Sequence, residues 1–172
     1  GIEEFIFVTG RGKSAIEDHF DHAYELQKML ETRGKKSSLK LVKASIPNPG
    51  QIAYIRQQEP LGLGHAVWCA RHLIGDEPVA ILLADDLIKG HSCMKEMVDA
   101  YDGGNMVAVM DVPRDQTGAY GIVNLGKTDG KKVDIAGLVE KPVPADAPST
   151  TAVVGRYIIS PSVFDTLGLQ EQ

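Results

Sequence analysis

Three short stretches carry the residue types from which chemistry could be built. The first is YIRQQEPLGLGHAV, Tyr54 to Val67, which begins as a strand and ends as a helix with Pro60, Gly62 and Gly64 crowded between. Glycines in a loop at the carboxyl end of a strand let backbone approach a base, ribose or phosphate, and a helix starting near Gly64 presents free N–H groups to an anion. Yet the spacing is neither GxGxxG nor GxxxxGK[ST], so nucleotide recognition and a tight structural turn both stay open. His65 reads as a cap or a packed residue.

The second stretch is ILLADD, where a continuous apolar run ends in Asp85 and Asp86. A hard divalent cation such as Mg²⁺ takes oxygen ligands and bridges to substrate phosphates, which is one reason to place a carboxylate there; a cap and a solvated side chain are the other. The third is GLVEKP, Gly137 to Pro142. Lys141 can neutralise a phosphate as a compact charge and Glu140 can accept from sugar hydroxyls, or the two form a surface ion pair. Pro142 biases Lys141 toward extended backbone. TGAYGIV adds Gly118 and Gly121, which suit backbone lying against a small ring or a plain turn, and Arg156 reads as a charged residue beside a strand rather than an anion contact. No GxSxG, HExxH or CxxC pattern occurs, and Cys69, Trp68, Met94 and Met97 read as packing residues.

The elements that must position these stretches follow from periodicity. EFIFVTG is a buried strand, followed by a helix over SAIEDHFDHAYELQKMLE with Ser14 as N-cap and Glu17 at capping-box spacing. TRGKKSSLK and IPNPG read as a surface excursion before the strand QIAYIRQ. GHAVWCARHLI is a short helix, EPVAILLADD a strand, SCMKEMVDAYD a helix capped by Ser92, and NMVAVMDV another strand. Strand and helix in alternation imply crossovers and a parallel sheet, whereas AYGIVNL, VDIAGLVEKP and TAVVGRYIIS read as a mixed or antiparallel part with turns such as TDGKK. SPSVFDTL starts a final helix.

At 172 residues, 43% hydrophobic and 24% charged, the chain suits a single globular domain spanning 1–172. A net charge of -5 without a basic tract argues against nucleic acid as a partner. Two cysteines without metal or disulfide spacing suit a reducing cytoplasm, and no apolar run reaches the length of a membrane span.

Taken in order, GIEEFIFVTGRGKSAIEDHFD, RQQEPLGLGHAV, PVAILLADD, AYGIV, GLVEKP and VVGRY resemble the bacterial UTP-dependent glucose-1-phosphate uridylyltransferases over essentially the whole chain. The resemblance implies a nucleotidyltransferase α/β fold, Rossmann-like, with a mostly parallel mixed central sheet. It implies Mg²⁺ as cofactor, UTP and glucose 1-phosphate as substrates, UDP-glucose and pyrophosphate as products, and a homo-oligomer. By it Gln57 reads the uracil edge, Gly62 lies against base or ribose, Asp85 binds the metal, Gly121 approaches the glucosyl ring, Glu140 holds sugar hydroxyls and Lys141 contacts the sugar phosphate; Asp86 has no assigned duty. The family's N-terminal glycine-rich triphosphate loop, its later acidic metal ligand and its C-terminal helices have no counterpart, so the expectation is an incomplete catalytic core. Other sugar-1-phosphate nucleotidyltransferases, a nucleotide-sugar-dependent glycosyltransferase and an inactive UDP-sugar-binding domain are the alternatives.

Overall fold

The computed structural model describes residues 2–170, which cluster into two compact units. One comprises residues 2–76 with 162–170, and the other Glu77–Pro161.

In the first unit β1 (Phe5–Thr9) and β2 (Ile52–Arg56) pair in parallel, Phe7 opposite Tyr54. That register stacks the two rings at 5.7 Å, and Phe20 adds a second ring against Phe7 at 5.1 Å. The intervening connection holds three helices, α1 (Ser14–Phe20), α2 (Tyr24–Thr32) and α3 (Lys36–Ala44). The single helix expected over 14–31 is broken at residues 21–23. Its expected capping box does not form: Lys13 is the N-cap residue, and Glu17 accepts instead from the Thr9 hydroxyl at 3.2 Å. The stretch read as a surface excursion is α3, which buries Leu39 and Val42 partway and leaves Leu41 outside, a helical spacing diluted by the surrounding lysines and serines. Two further helices, α4 (Leu63–Cys69) and α6 (Ser162–Gln170), pack on each other within this unit. Gly64 permits that contact: a Cβ there would lie 3.2 Å from Leu167.

The second unit is built around β7 (Thr151–Ile159), whose TAVVGRYII sequence is shielded along its length. Three strands run against it: β3 (Val79–Leu82), β4 (Met106–Asp111) and β5 (Gly121–Asp129). The sheet is completed by β6 (Lys132–Glu140), joined to β5 through Gly130 at φ 58. The α/β class stands, while the balance of pairing differs from the mostly parallel sheet expected. Among the described residues parallel pairing is confined to β1–β2, and the five-stranded sheet pairs antiparallel throughout. The cause is β7. Since β3 and β4 each oppose it, they point the same way, and the crossover through α5 (Cys93–Ala100) is present with a strand from late in the chain inserted between its two ends. Ser92 caps α5 as expected, accepting from the Lys95 N–H at 3.3 Å. Among the described residues no helix is long and apolar enough to cross a membrane.

Val112, Ile122 and Ala152 form the buried core of the second unit, closed by Tyr120. Ile122 is fully buried, so Ile122→Ala is expected to cost about 2–4 kcal/mol through lost transfer energy and a residual cavity. Leu41, 74% exposed on α3, is the control: its alanine variant is expected within about 0.5 kcal/mol of the parent. Urea unfolding measures both, and equal midpoints for the two variants would contradict this assignment of the core.

Candidate functional site

In the first unit, the loop after β2 is shaped by Gly62 and Gln57. Gly62 has φ 99, a conformation that glycine alone adopts without strain, and nothing lies within 4 Å of where its Cβ would be. Its carbonyl begins α4 by accepting from the Ala66 N–H at 3.1 Å, and also accepts from Gln57 Nε2 at 3.1 Å. Gln57 Nε2 has a second partner, His65 Nδ1, at 2.9 Å. The Gln57 backbone is fixed as well, its N–H donating to the Thr9 carbonyl at 2.9 Å as a continuation of the β1–β2 ladder. PLGLG therefore needs its glycines for a turn and for helix packing, and the same turn leaves an open backbone surface at Gly62. His65 is packed as expected, stacked on Trp68 with 6.1 Å between centroids. Its bond to Gln57 was not signalled by the sequence, because residues 57 and 65 meet only once the turn has closed.

In the second unit, the two acids after β3 have different surroundings. Asp86 accepts from the Gly155 N–H at 2.7 Å, so its carboxylate is committed to β7. Asp85 sits on the turn itself, exposed, and among the described residues its carboxylate has no hydrogen-bond or ion-pair partner. The turn is pinned on both sides. The Leu83 N–H donates to the Gly155 carbonyl at 2.9 Å, and the Arg156 guanidinium donates to the carbonyls of Leu83 at 2.9 Å, Gly155 at 2.7 Å and Asp86. Arg156 thus does more than stand beside a strand, the role read from sequence: its five fixed donors fit a fan of carbonyls that a lysine could not span. Gly155 is required beneath the turn, since a Cβ there would lie 2.7 Å from that of Leu83.

Gly121, Glu140 and Lys141 are brought together at one end of the β5–β6 hairpin. Gly121 is paired directly with Glu140, and a Cβ on Gly121 would lie 3.1 Å from Glu140 Oε2, so the glycine makes room for that carboxylate. Lys141 does not take the extended backbone expected before Pro142. Its φ is 47, and it is the one non-glycine residue with positive φ among the described residues. The reason is the end of the ladder: the Lys141 N–H donates to the Tyr120 carbonyl at 3.0 Å, while the next residue, Pro142, is buried, so the chain must turn sharply between them. Such a conformation costs on the order of 1–3 kcal/mol and concentrates at functional positions. The Lys141 ammonium lies 3.8 Å from Glu140 Oε1 across an exposed pair that contributes little to stability. The Tyr157 hydroxyl is pushed above its ordinary pKa, first by burial and then by the negative charges of Asp86 and Glu140, which puts both acids in electrostatic reach of one phenol.

A resident metal cage is not built here: no group of three or more His, Cys, Asp or Glu side chains suited to a metal occurs among the described residues. One free carboxylate is nevertheless enough for Mg²⁺, which keeps several waters and is commonly held by one or two carboxylates together with substrate phosphates. The donor chemistry of Asp85, with both carboxylate oxygens open, fits that mode better than that of Asp86, one of whose oxygens already accepts from the Gly155 N–H.

The chain is 47% identical over 175 residues to the UTP--glucose-1-phosphate uridylyltransferase of Komagataeibacter xylinus, an alignment covering 100% of this chain and 62% of the relative. It superposes with a TM-score of 0.83 on a UDP-glucose pyrophosphorylase complexed with UDP-glucose, 36% identical, covering 96% of this chain and 61% of the other. A UTP-bound UGPase from Acinetobacter baumannii also gives 0.83, at 31% identity, over 100% of this chain and 67% of the other. The chain spans about three fifths of the length of the curated relatives it matches. The family model described as Nucleotidyl transferase matches residues 1–172, and the chain belongs to that family.

Proposed function

We propose that residues 1–172 form the nucleotidyltransferase core of a UTP-dependent glucose-1-phosphate uridylyltransferase, which joins UTP and glucose 1-phosphate to give UDP-glucose and pyrophosphate. The observation that carries the reading is the division between two adjacent carboxylates, Asp86 spent on β7 and Asp85 left free on a pinned turn. The identity with a relative of that name across the whole chain supplies the substrate class.

In this reading an anionic oxygen of glucose 1-phosphate attacks the α-phosphorus of UTP, a new P–O–P linkage forms, and the bond to the departing diphosphate breaks. The nucleophile is already ionised at neutral pH, so no general base is needed. The protein contributes alignment and charge. Gln57 and Gly62 receive the uridine, with the Gln57 Oε1 available to the uracil edge. Glu140 accepts from sugar hydroxyls, Gly121 leaves room for the glucosyl ring, and Lys141 offsets the charge of the sugar phosphate. Asp85 holds Mg²⁺, which when bound neutralises phosphate charge. Strain at Lys141 supports its role, since a left-handed lysine stands where glycine would fit more easily. Cys69 and Cys93 are free thiols, which suits a cytoplasmic enzyme, and the sequence resemblance extends the reading to a homo-oligomer.

Two experiments on the full-length protein test the reading through pyrophosphate release. Asp85→Asn is expected to lower turnover about hundredfold or more and to raise the Mg²⁺ concentration required. Asp86→Asn retains an oxygen that can accept from the Gly155 N–H and is expected to lose far less; equal losses in both would rule out Asp85 as the distinct metal ligand. Lys141→Gly relieves the left-handed strain and is expected to hold or raise the thermal midpoint, by about 1 kcal/mol of stability, while kcat/KM for glucose 1-phosphate falls about hundredfold. Unchanged kcat/KM would remove Lys141 from the sugar-phosphate site.

A further inference from the structure

The orientation of the Gln57 amide is determined by its neighbours. A carbonyl oxygen can only accept, so the 3.1 Å contact between Gln57 Nε2 and the Gly62 carbonyl requires the NH₂ end of the amide to face the loop. The second N–H is directed at His65 Nδ1, 2.9 Å away, which must then be the unprotonated ring nitrogen. The ring proton falls on Nε2, 3.8 Å from Cys69 Sγ, a weak acceptor that suits this tautomer. The ring itself is held against Trp68 with 25° between planes, and Trp68 in turn carries the Arg71 guanidinium carbon 3.5 Å from its centroid. With both amide hydrogens taken, Gln57 Oε1 is the remaining polar atom of the side chain, and it has no protein partner among the described residues.

We propose that His65 is a positioning residue for base selectivity: by accepting from Gln57 Nε2 it keeps Oε1 presented outward as an acceptor. The loop then favours a base with a ring N–H at that edge, as in uracil or thymine, over cytosine, whose corresponding ring nitrogen is itself an acceptor. Two facing acceptors leave both unpaired, and that mismatch generates the discrimination. The inference rests on the reading of Gln57 as the base-contacting residue and adds what fixes its polarity.

The test compares kcat/KM for UTP and CTP, each with glucose 1-phosphate, in the full-length protein. His65→Ala is expected to lower the UTP:CTP ratio about tenfold, mostly through a higher KM for UTP with kcat little changed. His65→Asn is expected to recover most of the ratio, because its Oδ1 stands where Nδ1 stood and accepts the same hydrogen. Should the alanine variant fail to fold, His65→Phe keeps a ring against Trp68 and removes only the acceptor, and the same ratio decides. An unchanged ratio in the His65 variants, with a collapsed ratio in Gln57→Ala, would overturn the role of His65 and leave that of Gln57 standing. An unchanged ratio in Gln57→Ala as well would overturn the base-reading assignment and this inference with it. Failure of His65→Asn to recover the ratio would also overturn it.

Discussion

The bonds between the end of β3 and the middle of β7 are what the candidate metal position depends on. A strand that stops in the sequence Leu83-Ala84-Asp85-Asp86 leaves several backbone carbonyls and two carboxylates close together, a repulsive and mobile arrangement unless donors are supplied. Arg156 and the Gly155 N–H supply them, and Gly155 has no side chain to keep the turn away. The carbonyls of Leu83, Gly155 and Asp86 and one carboxylate oxygen of Asp86 are used, and the carboxylate of Asp85 is not. The turn is therefore rigid where it is bonded and chemically open at one residue.

The glycine-rich loop of the first unit follows the same logic. Gln57, Gly62 and His65 satisfy one another, and what they leave over is a single amide oxygen and an open backbone surface. In the hairpin, Gly121 yields space to Glu140 and the end of the ladder forces Lys141 into a costly conformation. Each position couples a packing requirement to a leftover polar group. Such couplings restrict the orientation of the side chain more strongly than exposure alone would.

Much of this could be read from the sequence, and the failures have identifiable causes. Strand ends marked by Asp85, Gln57 and Glu140 were legible because apolar runs stop abruptly there, and the hairpin was legible from the glycine in TDGKK. The central position of β7 was not, because nothing local in TAVVGRYII says which strands it will separate. Helix α3 was hidden by its lysines and serines, and the capping box at Ser14 lost to a longer-range bond between Thr9 and Glu17. The duties of Asp86, Arg156 and His65 were invisible for one shared reason. Each acts on a residue brought close only by folding: Gly155, Leu83 and Gln57 respectively. The positive φ of Lys141 ran against its proline neighbour, and local preference gave way to the end of a ladder.

The central claim is that folding spends Asp86 and leaves Asp85 to bind the divalent cation. A crystal structure of the full-length protein with Mn²⁺ and UDP-glucose, phased to locate the metal by its anomalous signal, addresses it directly. The account predicts a peak within about 2.5 Å of an Asp85 carboxylate oxygen, with Asp86 still bonded to the Gly155 N–H. A metal coordinated by Asp86, or one bound to the phosphates with no contact to Asp85, would contradict it.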